Sequence, residues 1–256
     1  MNRVLLQQIQ MTNVEDLNLQ EFGNNSLPRR TLKKDDNYVF LFAMGGDGQK
    51  APRKKILGTL RSLIPESGEI KSLPDNTQLS VAYLFDADKK GVTARLLEVQ
   101  NEVREVLTTL PDDALASNGS FGTYEGLKIG SFIFTGSDNN TGKLEDIIVP
   151  LMQTGNEEIF SKAEAYLNAH HDPNRIFPLK LTITAGTSEI TENRSAKKSD
   201  TDYDSKKSII GITGQLQRSG KPNTAYISDA DYFTIAKING NSKCQGITTF
   251  FDHYLQ

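Results

Sequence analysis

An α/β fold, with a mostly parallel sheet flanked by helices, is what this sequence predicts, and three observations carry that reading. Apolar runs at 38–43, 81–85 and 127–135 have the length of strands rather than helices. Between them lie longer stretches whose apolar residues recur at helical spacing, as Val92, Leu96, Val99 and Val103 do. Strands that alternate with helices are the pattern of a parallel sheet, because each parallel connection needs a crossover.

Taken in order, Arg3 to Gln8 reads as a first strand around Val4 and Leu6. A polar segment with Glu15, Asp16 and Glu21 follows, in which Leu17, Leu19 and Phe22 suit a short helix. Residues 23–36 read as a loop holding Pro28, Arg29, Arg30, Lys33 and Lys34. The second strand, Tyr38 to Ala43, runs into Gly45, Gly46, Asp47 and Gly48. Pro52 then suits a first helical turn, where its missing N–H costs nothing, ahead of Ile56, Leu57, Leu60 and Leu63. Gly46 to Ala51 matches the dinucleotide fingerprint in form, but the next strand-end acid, Asp86, lies about twice as far on as the ribose-binding acid does. A tight turn that needs glycine for its backbone angles accounts for the same residues. Lys50, Arg53, Lys54 and Lys55 at the helix start form either a phosphate-facing edge or a solvated one.

After the run at 81–85, residues 92–107 read as a helix with one apolar face, 111–124 as a polar loop and 127–135 as a strand. A polar turn at 136–142 leads to a helix opening at 143–151. Glu157 to Asn168 is a further helix with Ile159, Phe160, Ala163 and Leu167 inward, closed by His170 and His171, whose place favours the helix dipole. Leu179 to Ala185 alternates like a half-exposed strand, and 186–206 is polar enough for a loop or linker. Ser208 to Leu216 returns to helix behind Lys206 and Lys207, and 229–233 and 247–255 read as a final helix pair. The length of 256 residues fits a single domain, 1–256, with a core over roughly 1–170 and additions over 171–256.

Charge adds exclusions. The 29 basic and 32 acidic residues leave a formal net charge of −3, which gives no global signature for nucleic acid or membrane, so any such contact must be local. One cysteine, Cys244, excludes an intrachain disulfide and Cys-rich zinc sites and fits a reducing cytoplasm. No N-terminal apolar run is long enough for a signal sequence or membrane span, so a cytoplasmic protein with no membrane contact is expected.

The chemistry gathers at Val81 to Gly91. A strand at 81–85, buried on both faces, puts Asp86 and Asp88 at its C-terminal mouth, where open α/β sheets bind ligands. Residues two apart on an extended chain point to one side, so both carboxylates should face one small volume. Like charges that close raise each other's pKa unless a cation neutralises them, and a hard divalent ion such as Mg2+ takes oxygen ligands. An EF-hand loop also begins Asp-x-Asp with Gly sixth, as Gly91 is, but Lys90 and Leu97 stand where that loop needs oxygen ligands. A purely structural pair, one acid ending a strand and one preceding a helix, accounts for the same spacing.

Asp86-Ala87-Asp88, between strand and helix, resembles the second signature of the Toprim domain, the metal-binding fold of topoisomerases, bacterial primases, small-RNA maturases and OLD-type nucleases. Further on, Asp138-Asn139-Asn140 and Gly142-Lys143-Leu144-Glu145-Asp146 look like a stretch of a bacterial Toprim-like family of unassigned function, whose members carry Pro-Asp-Asn and then Gly-Met-Leu-Glu-Asp. The glycine turn, Ala163-Glu164-Ala165 and Lys207-Ser208-Ile209-Ile210 follow in corresponding order, so the resemblance runs from Tyr38 onward through the rest of the chain. It implies a Toprim-like, Rossmann-like fold with loop and helical additions in the C-terminal half. It also implies Mg2+ or Mn2+ held by Asp86, Asp88 and Glu145, and a nuclease that hydrolyses DNA or RNA, with Lys207 neutralising developing charge. The expected partners are nucleic acid, an ABC- or AAA-type ATPase in anti-phage defence, and further copies of the chain as a homo-oligomer.

At the first motif the chain departs from that pattern. Gln8 and Ile9 stand where these domains have Glu and Gly. An amide offers no charge and no useful basicity. Either Glu15 or Asp16 supplies the missing carboxylate, or the chain is a catalytically inactive Toprim module, a sensor or structural subunit of a defence complex. A nucleotidyl transferase is a third reading.

Overall fold

Apolar periodicity and strand pairing organise the first of two compact units. The computed structural model describes residues 28, 30–34, 37–44, 49–65, 74, 77–173, 179–183, 186, 190–194 and 203–255. The expected strand at 3–8, with Gln8, Ile9, Glu15, Asp16 and the glycine turn at 45–48, lies outside the described residues. By density of contacts the chain divides into 1–143 with 246–256, and 144–245.

In the first unit, β1 (Arg30–Lys34) pairs antiparallel with β2 (Asn37–Leu41), although 23–36 reads as loop in sequence. Lysines and arginines dominate β1, so its pattern carries little apolar signal. Helix α1 (Lys50–Ser62) has Pro52 in its first turn and buries Leu57. Strand β3 (Leu79–Asp86), helix α2 (Val92–Arg104), β4 (Phe121–Tyr124) and β5 (Leu127–Phe134) form the centre, with strand order β3-β5-β4. The β3–β5 pair is parallel in a register that sets Asp86 beside Phe134, and β4–β5 is antiparallel. This is a mixed α/β architecture with a parallel central pair and α2 as its crossover.

The place buried on both faces belongs to β5, where 127–131 are all buried, and not to β3. On β3, Leu79, Val81, Tyr83 and Phe85 face the core, whereas Ser80 and Leu84 are exposed. One face of β3 packs on the core and the other stays half open. The core under it joins Leu57 of α1, Val99 and Val103 of α2, Leu127 and Ile129 of β5, and Leu107, Leu110 and Leu115 of the segment that follows α2. The sequence reads 111–124 as loop, because the four residues of β4, Phe-Gly-Thr-Tyr, are too short and too mixed to announce a strand.

The second unit is helical. Helices α3 (Glu145–Gln153), α4 (Glu157–His170) and α5 (Ser205–Gln217) pack through Ile148, Val149, Met152, Phe160, Ala163, Ile209 and Ile210. Between α4 and α5, β6 (Leu179–Ile183) pairs antiparallel with β7 (Ile190–Arg194), so part of the expected polar loop at 186–206 is strand. The sequence Ile-Thr-Glu-Asn-Arg has one aliphatic residue, which hides it from a hydrophobic pattern. Helix α5 begins at Ser205, three residues before its apolar pattern, because Asp204 caps it by accepting the Lys207 N–H. Helices α6 (Asn223–Asp229) and α7 (Ile235–Asn239) flank residues 230–234, so the helix expected at 229–233 falls on a connection.

Helix α8 (Ser242–Tyr254) starts in the second unit and ends in the first, to which its residues from Gly246 belong. That last part covers the second face of β5. Tyr254 donates its hydroxyl to the Lys128 carbonyl at 3.0 Å, and Phe250 lies 5.7 Å from Phe132. Gly130 makes room: a Cβ there would sit 2.8 Å from the Tyr254 ring. Burial pushes the hydroxyls of Tyr83 and Tyr254 far up from their ordinary value. Among the described residues no helix is long and apolar enough to cross a membrane.

Candidate functional site

Two chain segments zip together beyond the C-terminal ends of β3 and β5. The last sheet bond runs from the Ala87 N–H to the Phe134 carbonyl at 2.9 Å, and Ala87 is fully buried against Leu96 and Ile133. Asp88 then leaves the strand with φ 50°. Its N–H donates to the Gly142 carbonyl at 2.7 Å, and the Gly142 N–H returns to the Asp88 carbonyl at 3.0 Å. Val92 N–H reaches the Asn140 carbonyl at 2.9 Å, which fixes the start of α2 to the same loop. At the α2 N-cap, Gly91 has φ 85°, and a Cβ there would lie 3.1 Å from the Asn140 side chain. Only glycine meets both conditions cheaply.

The motif turn at 136–142 is organised by Asp138. One oxygen of Asp138 accepts the N–H groups of Asn140 and Thr141 at 2.9 and 2.8 Å, and the other accepts the Thr141 hydroxyl at 2.5 Å. Asp138 is thereby a turn residue. The turn's backbone, in contrast, faces the Asp86–Val92 segment.

The residue that sequence reading missed is Arg95. Its side chain is 5% exposed, and its three nitrogens go to three acceptors. Nε donates to the Asp86 carbonyl at 3.0 Å, Nη2 to Asp88 Oδ2 at 2.8 Å and Nη1 to Glu98 Oε2 at 2.9 Å. The guanidinium also lies 5.6 Å from the centre of the Phe85 ring, which carries Arg53 at 5.0 Å as well. A signal existed: Arg95 stands four residues before Val99 and beside Leu96, on the inward side of α2. A cation in that stripe needs an acid to meet it.

Strand alternation, from which a shared facing of the Asp86 and Asp88 carboxylates is expected, does not relate the two, since Asp88 has already turned away from extended geometry. Asp88 keeps 39% of its side chain exposed, and among the described residues nothing donates a hydrogen bond to its Oδ1. A carboxylate held at one oxygen by a buried guanidinium, with the other oxygen available, is how outer partners orient ligands to a cation. Mg2+ is commonly bound by one or two carboxylates, with water and phosphate oxygens completing its shell. Among the described residues no group of three or more His, Cys, Asp or Glu is arranged to hold a metal ion.

Glu145 and Lys207, the other two expected site residues, meet each other. In the second unit Lys207 Nζ lies 3.5 Å from Glu145 Oε1, and Lys206 pairs with Asp146. Glu145 and Asp146 occupy the first turn of α3, where the dipole favours acids. The Lys207 side chain is 54% exposed. The ring of His170 lies against Tyr166 and that of His171 stacks on Tyr203 at 3.7 Å. The basic start of α1 is engaged: Lys50 and Lys54 with Glu105, Arg53 with Glu102. No protein-family model matches the chain, and neither a curated protein nor a solved structure does.

Proposed function

We propose that this chain is a Toprim-like module that hydrolyses phosphodiester bonds of DNA or RNA, with Mg2+ or Mn2+ held by Asp86 and Asp88. The observation that carries the reading is the Asp88 carboxylate, fixed at Oδ2 by a buried arginine and open at Oδ1 beyond a parallel strand end. An ion bound there would activate water and balance charge on a phosphate. The chain's own residues do the rest. Asp86 and Asp88 hold the ion, Arg95 orients Asp88, and the 136–142 loop braces the turn from behind. By the resemblance, the setting is anti-phage defence beside an ABC- or AAA-type ATPase, and Glu145 and Lys207 are the further acid and the charge-neutralising cation.

A second reading, a catalytically silent module that serves as sensor or structural subunit, is favoured by one observation: Lys207 already neutralises Glu145. Purified chain incubated with plasmid, single-stranded DNA and tRNA in Mg2+ or Mn2+, beside Asp86→Ala/Asp88→Ala, separates the two. Cleavage by the parent and none by the double variant supports the nuclease. Equal inertness of both, with and without an ATPase partner, sinks it in favour of the silent module.

A further inference from the structure

We infer that Arg95 is the positioning residue of the acidic turn: it presents one oxygen of Asp88 outward for a divalent cation, and its loss weakens that cation's binding despite removing a positive charge. The inference rests on the reading of Asp86 and Asp88 as a cation site and goes beyond it in assigning a residue of opposite sign to the same site.

The argument is one of competing effects. Coulomb repulsion between a guanidinium and a divalent ion a few ångströms apart works against binding, and by itself would make removal of Arg95 tighten it. Orientation works the other way. Without Nη2 the Asp88 side chain gains rotamers, and without Nε the Asp86 carbonyl loses its bond to α2, so the turn that presents Asp88 is held less firmly. The charge of Arg95 is also spread over Asp88 and Glu98, and Glu98 in turn takes Lys90 at 2.8 Å. The guanidinium is thus largely compensated before any ion arrives, and orientation dominates. Its planar fork is essential, because one group must reach a carbonyl and two carboxylates at once. Lysine, a point donor, cannot.

The test uses the full chain and Mn2+ as probe, with binding followed by electron paramagnetic resonance of the free ion, so that no activity is needed. The variants are Arg95→Ala, Arg95→Lys and Asp86→Ala/Asp88→Ala, each checked for native circular dichroism. Binding weakened about ten- to a hundred-fold in Arg95→Ala, with Arg95→Lys also weakened, is the expected result. Unchanged or tighter binding in Arg95→Ala overturns the positioning role while leaving the cation site standing. Should Arg95→Ala fail to fold, Arg95→Lys decides, and parent-like affinity there overturns the inference. If the parent binds no Mn2+, or the double variant binds it equally, the cation-site reading itself falls and this inference with it.

Discussion

The acidic turn of the first unit and the acidic helix start of the second carry the same charges on different footings. Asp88 is met by an arginine that is 5% exposed, Glu145 by a lysine that is 54% exposed. Burial of the cation makes the first arrangement permanent, since a guanidinium does not lose its proton and cannot leave for water without undoing the packing around Phe85. The second is a surface pair that solvent and salt exchange freely. What fixes an acid in space is the burial of its partner, not the presence of one.

That contrast can be broken most forcefully at the neighbouring Arg53–Glu102 pair, whose side chains are 10% and 7% exposed and joined by two hydrogen bonds of 2.8 and 2.7 Å. Glu102→Ala strips a buried guanidinium of its bidentate acid and is expected to cost about 3–5 kcal/mol in urea unfolding. A loss under about 1 kcal/mol would show that burial of the cation does not matter as argued. Next comes Asp88→Ala, expected to cost about 1–3 kcal/mol, because Arg95 keeps the Asp86 carbonyl and Glu98. Lys207→Ala should change stability by less than about 1 kcal/mol, and a larger effect would place that lysine on the same footing as Arg95.

The smallest expected effect is a shift in pH dependence. Hydrogen bonds from Lys50 and then Lys54 hold the Glu105 carboxyl down from 4.5 to about 2. A depressed carboxylate contributes its stability fully above 4.5 and loses it as pH falls toward 2. Glu105→Gln should flatten acid unfolding within that window and change nothing at neutral pH beyond the lost contacts. An acid titration followed by circular dichroism that coincides with the parent's would remove Glu105 from the account.

Legibility in the sequence followed apolar periodicity. The stripe of Val92, Leu96, Val99 and Val103, the run at 127–134 and Pro52 in a first helical turn were all plain, because burial leaves a regular trace. β1, β4 and β7 were not, since charged, short or polar strands leave none. At the site, the spacing of Asp86 and Asp88 and the turn at 138–142 were legible as motifs. Their meeting through the Asp88–Gly142 backbone bridge was not, as it depends on a left-handed residue that alternation cannot foresee. Glu145 and Lys207 were each visible, yet their pairing across 62 residues of chain is a product of helix packing, which no local pattern encodes.

The tail of α8 has a consequence for biosynthesis. Phe250 and Tyr254 close one side of β5, yet a ribosome must first make all of residues 144–245. The nascent first unit therefore waits, with Phe121, Gly130 and Phe132 bare, until the intervening helices have emerged, so that this side is closed only after the last turns of α8 are made.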